Sequence, residues 1–186
     1  EPEDPVPVKQ KKRIKDYFAE LADYVEQVQY PVFAIDRAGK VIVWNKAMAD
    51  LTGIEAAEIY GEGEHAYAAV IYGDTRSMLI DFICDQQGEE GLRKTLGITR
   101  DGDVFSSNLE TVLIRGKTTH LWSKGAGIYD TEGSMVAAVQ SILVSTEQPA
   151  THGMTVPEEE VYIGGISSII LKVTGGGMGG ALAGAI

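Results

Sequence analysis

The hydrophobic period of the chain changes at Pro31, and this change separates a helical segment from a segment built of strands and short helices. Residues 9–30 contain no Gly or Pro, and apolar side chains recur there at spacings of 4, 3, 4 and 3 residues. Such spacing is typical of a helix with a heptad seam. The predicted seam residues are Ile14, Phe18, Leu21, Val25 and Val28. Because proline disfavours helical geometry in the residue before it, the helix is predicted to end at Tyr30.

The predicted heptad seam has two interpretations, and the sequence leaves both open. The seam can pack against the domain that follows, as the apolar stripe of a surface helix does. It can instead join two copies in a parallel dimer whose helix carries a signal. On the second interpretation the protein is a homo-oligomer held together by a coiled coil.

Beyond Pro31 the pattern predicts an α+β domain. Short β-rich runs bounded by turn residues predict strands over 32–35, 40–44, 104–114, 118–129 and 135–144. Helical spacing and cap residues predict helices from Asn45 to Gly53, over 54–60, and from about Asp74 to Gln87. The order of these elements predicts a five-stranded antiparallel sheet with the short helices on one face.

Three stretches of this domain resemble the PAS family. They are YPVFAIDRAGKVIVWNKAMADLTG (30–53), GEGEHAYAAVIYGDTRSMLIDFI (61–83) and HLWSKGAGIYDTEGSMVAAVQSI (120–142). The second is similar to a subgroup found in prokaryotic signalling proteins. The resemblance implies the PAS fold and a module for sensing or dimerisation. It implies no reaction, and we therefore expect a protein that is not an enzyme and has no catalytic residues.

The resemblance also implies a ligand pocket between the sheet and the helices. The candidate wall residues are Phe33, Ile35, Val43, Met48, Tyr67, Tyr72, Met78, Phe82, Leu113, Leu121 and Ile142. The alternative is that these side chains simply fill the core, as most such positions do. Arg76 is the polar candidate, since it could bind a carboxylate or pair with Asp74 or Asp81.

The sequence can be compared with what three cofactors would require: a flavin, haem and a metal ion. A flavin photoreceptor of the related light-sensing type would need a reactive Cys in a Gly-Arg-Asn-Cys-Arg-Phe-like helix, whereas Cys84 stands next to Asp85 at the far end of its predicted helix. Haem would need a histidine that reaches the pocket, and His65 is the candidate for that role. The spacing of His, Cys and carboxylates shows no metal motif. We expect no cofactor, with haem or a small ligand as the alternatives.

The charge and cysteine content narrow the classes of partner. The formal net charge is −11, from 16 basic and 27 acidic side chains, and a nucleic-acid surface would need the opposite excess. A single Cys excludes a disulfide scaffold. The first residues are acidic and interrupted by proline, unlike a secretory signal. These features predict a cytoplasmic protein that does not bind nucleic acid.

The last part of the sequence differs from the rest in composition. Residues 148–156 contain Pro149 and Gly153 and are followed by Pro157, a pattern typical of a linker, and residues 157–186 form an apolar, Gly-rich tail. Gly176, Gly180 and Gly184 repeat every four residues, which on a helix forms a stripe suited to close association. Three interpretations stay open: self-association, contact with a membrane, and the start of a further domain.

The predicted organisation is a flexible lead (1–8), an N-terminal heptad helix (9–30), a PAS domain (31–147), a linker (148–156) and the tail (157–186). The leading hypothesis is a sensory or regulatory module that binds a small ligand or a signalling partner protein and dimerises through its first helix. The alternative, from another class, is an assembly protein in which the tail drives self-association or membrane attachment. In that case the PAS domain is an appended interaction module.

Overall fold

A computed structural model of the chain describes residues 8–85, 90–130 and 132–145. The helices are α1 (Val8–Val25), α2 (Lys46–Thr52), α3 (Ala56–Ile59), α4 (Ala66–Tyr72), α5 (Leu79–Cys84) and α6 (Glu90–Thr95). The strands are β1 (Val32–Asp36), β2 (Val41–Trp44), β3 (Thr99–Asp101), β4 (Val104–Ser106), β5 (Glu110–Ile114), β6 (Lys117–Tyr129) and β7 (Met135–Ser145). The predicted linker and tail, with Gly176, Gly180 and Gly184, lie outside the described residues.

The strands form one antiparallel sheet in the order β2-β1-β7-β6-β4-β3, with β5 also paired to β6. The two longest strands, β6 and β7, lie at its centre and pair from His120 opposite Ser145 to Tyr129 opposite Met135. The short helices α2 to α5 follow the first hairpin in the chain, and the remaining strands come after them. The predicted α+β class, with an antiparallel sheet and short helices, is therefore confirmed.

The sheet has seven strands within the described residues, and not the predicted five. The single strand predicted over 104–114 is two strands, β4 and β5, which pair with different parts of β6. At the break, the Ser107 N–H donates to the Ser123 carbonyl (3.0 Å) and the Asn108 N–H to the Leu96 carbonyl (2.9 Å). The chain leaves the ladder there because it bonds to the segment after α6. β3 joins β4 as an additional hairpin that was not predicted.

Local cap residues determine where α2 begins and ends, as predicted. The Asn45 side-chain oxygen accepts the Met48 N–H at 3.0 Å, and Gly53 ends the helix with φ of +78°, a left-handed conformation that glycine adopts without strain. The helix predicted over 74–87 is much shorter, because Gly73 ends α4 and α5 begins only at Leu79. α4 and α6 were not predicted.

The N-terminal helix ends at Val25, five residues before the predicted end at Tyr30. Beyond it, the Gln27 N–H donates to the Tyr24 carbonyl (3.2 Å) and the Val28 N–H to the Val25 carbonyl (3.1 Å), so the last turn is tighter than an α-helix. The side-chain amide of Asn45 also donates to the Tyr30 carbonyl at 2.7 Å. A tertiary contact, and not Pro31 alone, therefore sets the path of this segment.

Two apolar clusters lie on opposite faces of the sheet. The inner-face cluster lies between the sheet and helices α2 to α5, and it contains most of the buried apolar side chains of the domain. The outer-face cluster lies under α1, and its buried members are Leu21, Val25, Val32, Ala34, Val43, Ile128, Ala137 and Val139. No helix within the part of the chain that the structure describes is long and apolar enough to cross a membrane.

The outer-face cluster shows which residues of the predicted seam are buried within the chain. Leu21 and Val25 are fully buried in it, while Phe18 and Val28 pack at its border, and Ile14 lies nearer the start of α1. The side chains of Leu21, Val25, Phe18 and Val28 therefore pack against the sheet of their own chain, as in the first interpretation of the seam. Leu21 and Val25 are not available to a second helix unless α1 leaves the sheet.

Candidate functional site

The inner-face cluster brings together eight of the twelve candidate pocket residues. All eight are at most 9% exposed, and they are Phe33, Ile35, Met48, Tyr67, Met78, Phe82, Leu121 and Ile142. β1, β6 and β7 supply the sheet side, and α2, α4 and α5 supply the helix side. Tyr72 packs at the border of the cluster. The spatial grouping implied by the resemblance is therefore present for these nine residues, and their role as ligand walls stays a prediction.

Aromatic rings fill the centre of the inner-face cluster. The ring centroid of Phe33 lies 5.3 Å from that of Tyr67 and 5.8 Å from that of Trp44. Phe82 meets Phe105 edge to face at 5.7 Å. These distances are within the range that aromatic pairs prefer. The pocket predicted from the resemblance is occupied by these rings in this conformation, so a ligand here would have to displace them.

The Asp81 carboxylate forms polar side-chain contacts between α4 and α5. Its carboxylate accepts a hydrogen bond from the Tyr67 hydroxyl, and its second oxygen accepts the Met78 N–H at 2.7 Å, which caps the start of α5. The His65 Nε2 lies 3.3 Å from the same carboxylate. Burial, together with the Asp81 charge and hydrogen bond, raises the pKa of the Tyr67 phenol above its usual value. Asp81 thereby joins α4 to α5.

The haem candidate His65 is placed by an unusual backbone. Glu64 and His65 both have positive φ, 52° and 60°, a region that residues other than glycine seldom adopt. The imidazole packs edge-on against Tyr67 at 6.0 Å between ring centroids and points to Asp81. Within the described ranges no group of three or more His, Cys, Asp and Glu side chains is arranged to hold a metal ion.

Cys84 ends α5 and is partly buried. Desolvation, with a smaller contribution from the Asp81 charge, raises the pKa of its thiol to about 12. A thiol with so high a pKa is protonated at neutral pH and is a poor nucleophile. The environment of Cys84 is thus that of a structural cysteine.

The candidate polar residue Arg76 does not enter the inner-face cluster. Its guanidinium forms an exposed ion pair with Asp74, one of the two pairings that the sequence suggested, and lies 4.8 Å from the centroid of the Tyr72 ring. That pairing lowers the pKa of the Asp74 carboxyl. The Tyr72 hydroxyl in turn donates to Glu110 on β5. Arg76 therefore belongs to a contact that joins the end of α4 to the sheet.

Val43 and Leu113 are wrong as candidate wall residues. Val43 is buried in the outer-face cluster, because it lies opposite Ala34 on β1, and that pair faces α1. Leu113 is 69% exposed, because alternation along β5 turns its neighbours Val112 and Ile114 inward. A one-residue error in strand phase places a side chain on the opposite face.

Sequence reasoning missed the buried polar contacts of the inner face. Gln140, 1% exposed on β7, accepts the Ile80 N–H through its Oε1 at 2.9 Å and donates through Nε2 to the Ser123 hydroxyl at 3.0 Å. It therefore connects α5, β6 and β7. The Gln140 position in an otherwise apolar strand was the available signal, since buried polar side chains are normally hydrogen-bonded.

Part of the outer face of the sheet lies outside the outer-face cluster that α1 covers. Trp122 on β6 lies opposite Leu143 on β7, and both are half-buried. Next to them His120 is hydrogen-bonded to Thr111 at 2.9 Å, and Leu113 is exposed. This outer surface therefore presents apolar side chains beside the polar pair of His120 and Thr111.

Comparison with known proteins gives one family and several similar folds. A family model described as PAS fold matches residues 19–121. The PAS domain of BvgS from Bordetella pertussis is similar with a TM-score of 0.52 at 18% identity, covering 72% of this chain and 89% of that one. The LOV protein of Rhodobacter sphaeroides is similar with a TM-score of 0.51 at 10% identity, covering 90% of this chain and 86% of that one. At these identities the likeness is one of fold.

Sequence similarity to curated proteins includes a stretch of a plant phytochrome. Phytochrome E of Arabidopsis thaliana is 28% identical over 78 residues, which are 41% of this chain. Those residues span 7% of the length of phytochrome E. The similarity is thus limited to one segment of a much longer protein.

Proposed function

The chain belongs to the PAS family, and from this premise we propose that it is a sensory module that binds a small ligand or a partner protein and works as a dimer. PAS domains are typically modules of sensing and signalling. In this proposal the module acts in the cytoplasm and catalyses no reaction. The observation that carries the proposal is that one sheet has an aromatic cluster on its inner face and an incompletely covered apolar surface on its outer face.

The ligand part of the proposal is supported by the composition of the inner-face cluster. Small-molecule sites are mostly apolar and aromatic, with a few polar groups that fix the orientation of the ligand. Here the rings of Phe33, Tyr67 and Phe82 supply the apolar part. The Tyr67 hydroxyl and the Gln140 amide are polar groups that could turn from Asp81 and Ile80 to a ligand. Displacing the rings would then open the site.

The connection between the two faces is supported by the contacts of Gln140. A ligand that took the Gln140 amide would release the Ile80 N–H on α5, and so would loosen α5 from β7. β7 carries Val139, which packs under α1 on the other face of the sheet. A change on the inner face would therefore reach α1 through a single strand. Such a strand can have two alternative arrangements, and contacts on either face of the sheet can favour one of them.

The dimer part of the proposal uses the part of α1 that the sheet leaves accessible. Leu21 and Val25 stabilise the monomer, whereas Phe18 and Val28 are only partly covered and Tyr24 is 42% exposed. Trp122 and Leu143 supply further partly exposed apolar side chains on the outer face of the sheet. We expect the second copy to bury these residues and to leave the contacts of Leu21 and Val25 within the outer-face cluster unchanged.

Two measurements on the full chain test the proposal. Light scattering after size exclusion at micromolar concentration should give twice the chain mass, and a monomer would exclude the dimer. Native mass spectrometry should give a mass increment from a retained small molecule, or a pull-down should give a stoichiometric partner. Protein that carries no ligand, binds none from a metabolite set and retains no partner would contradict the sensory part. The absorption spectrum of the same sample tests haem at His65.

A further inference from the structure

A groove of about 330 Å³ lies at one end of the sheet, between the end of α2 and the turn that joins β5 to β6. Its floor is aliphatic and consists of Leu51, Ile114 and Val144. Two cations, Arg115 and Lys117, stand at its side. This volume is at the lower end of the ~300–1,000 Å³ range of small-molecule pockets. The groove therefore combines apolar contact area with positive charge.

The backbone of Arg115 is strained. Arg115 and Gly116 form the two-residue turn between the paired residues Ile114 and Lys117, with φ of +49° and +77°. This type of hairpin turn favours Asn, Asp or Gly at its first position, because a positive φ is unfavourable for residues with a long side chain. Strained residues persist where the surroundings hold them, and they cluster at functional sites.

The surroundings fix the Arg115 side chain at the edge of the groove. Its Nη1 donates to the Asp50 carbonyl at 3.3 Å, at the end of α2. The guanidinium lies over Gly53, where an added Cβ would be 3.3 Å from Nε. Most of the five N–H donors of a guanidinium are left for another acceptor. Arg115 is therefore held in place with its donors available.

The positive charge in the groove is not neutralised by the neighbouring acid. The carboxylate of Asp50, which lines the groove, pairs with Lys46 at 2.9 Å. Arg115 and Lys117 form no ion pair within residues 8–85, 90–130 and 132–145. In this part of an acidic protein, two cations that form no ion pair among the described residues thus line the groove beside its aliphatic floor.

We propose that this groove binds a small carboxylate with a short hydrocarbon chain. The carboxylate is held by Arg115 and Lys117, and the chain lies on Leu51, Ile114 and Val144. Guanidinium groups bind carboxylates with two parallel hydrogen bonds, which gives direction as well as charge. Val144 belongs to β7, so the bound molecule touches the strand that directly precedes residues 146–186 in the sequence. This site is separate from the aromatic rings and from the dimer surface of the proposed function.

The test is a titration of the full chain with octanoate, followed by methyl NMR. We expect saturable shifts at the Leu51, Ile114 and Val144 methyls and no comparable shifts at Met48 or Leu79 on the inner face. Octan-1-ol, which has the chain without the charge, should bind much more weakly, and octylamine should not bind. R115N should weaken octanoate binding about tenfold, because it removes a charge-assisted hydrogen bond. It should preserve the fold, because Asn tolerates positive φ in this turn.

R37Q is the matched control, since it removes an exposed cation from another hairpin turn, and it should bind octanoate as the parent does. K117Q is a second variant that leaves the turn conformation unchanged, and it should also weaken binding. Equal affinity of octanoate in the parent, R115N and K117Q would overturn the proposal. Equal binding of octanoate and octan-1-ol would also do so. Nuclear Overhauser effects between residues 146–149 and the Leu51 methyls in the absence of octanoate would overturn it as well, because the chain itself would then fill the groove.

Discussion

The side-chain amide of Asn45 donates a hydrogen bond to the carbonyl oxygen of Val25, the last residue of α1, at 3.0 Å. The same side chain accepts the N–H groups of Val32 and Met48 through its Oδ1, both at 3.0 Å. Asn45 is 1% exposed, and it therefore joins three elements at once: the end of α1, the first strand and the start of α2.

Replacing Asn45 should strongly destabilise the fold. N45A leaves buried backbone donors and acceptors without partners, and we expect a loss of about 3 kcal/mol in the free energy of unfolding. Chemical denaturation followed by Trp fluorescence measures it. Q27A changes an exposed amide near the same turn and should have little effect. If N45A and Q27A were equally stable, the three-way role of Asn45 would be wrong.

Removing the Tyr67 hydroxyl should change the pH dependence of stability. The pKa of Tyr67 is raised by burial and by Asp81, so its folded-state value lies above the unfolded value of about 10. Its contribution to stability is therefore present below about pH 10 and is lost as the pH rises further. Y67F should be less stable than the parent by about 1 to 2 kcal/mol at neutral pH, and this difference should shrink above pH 10.

Thermal unfolding of the parent and Y67F between pH 7 and 11 measures that difference. Y60F is the matched control, because Tyr60 is 64% exposed. A stability difference between the parent and Y67F that stays constant up to pH 11 would contradict the expected linkage.

Cys84 should be unreactive in the folded protein. Its thiol pKa of about 12 leaves almost no thiolate at pH 8, so alkylation by iodoacetamide should be far slower than that of a free cysteine. Adding denaturant should restore the ordinary rate, since unfolding removes the burial. Mass spectrometry of quenched samples follows both rates. Fast alkylation of the native protein would show that the thiol is not held in this environment.

Gln140 should contribute more to stability than one of its partners. Q140L leaves both the Ile80 N–H and the Ser123 hydroxyl without a bond, and should cost about 2 kcal/mol. S123A removes only the second contact and should cost less. Urea unfolding of the two variants compares them directly, and the reverse order would show that the Ile80 contact contributes little.

Buried and exposed side chains of α1 should have different roles. L21A should lower the free energy of unfolding by about 2 to 5 kcal/mol, because Leu21 is fully buried under the sheet. Y24S should leave the unfolding free energy nearly unchanged and should weaken the dimer, because Tyr24 is exposed. Denaturation and sedimentation of both variants separate the two effects. A monomer-stabilising role for Tyr24 would reverse this assignment.

The parts of the fold that depend on neighbouring residues were predictable from sequence. Asn45 and Gly53 define α2 because a cap acts within three residues of the helix end. The seam spacing also identified the buried stripe of α1. The spacing alone did not identify what covers Leu21 and Val25, because a sheet face and a second helix both accept the same stripe.

The contacts of the candidate site depend on residues far apart in the chain. Tyr67 and Asp81 are 14 residues apart in the sequence, and Ile80 and Gln140 are 60 residues apart. No local sequence pattern therefore predicts either hydrogen bond. The division between β4 and β5 likewise follows from the contact of Asn108 with Leu96. Val43 was assigned to the wrong face because alternation gives the phase of a strand only relative to its partner.

The division of the sheet edge has a consequence for the behaviour of the protein at high concentration. A long exposed strand offers a continuous row of backbone donors and acceptors on which another chain can assemble. Here β6 is covered by two strands of three and five residues, and the outermost strand of that side, β3, is three residues long. An incoming chain finds too few aligned backbone groups there to start a cross-β assembly, so the interruption at residues 107–109 protects the domain from aggregating through this edge.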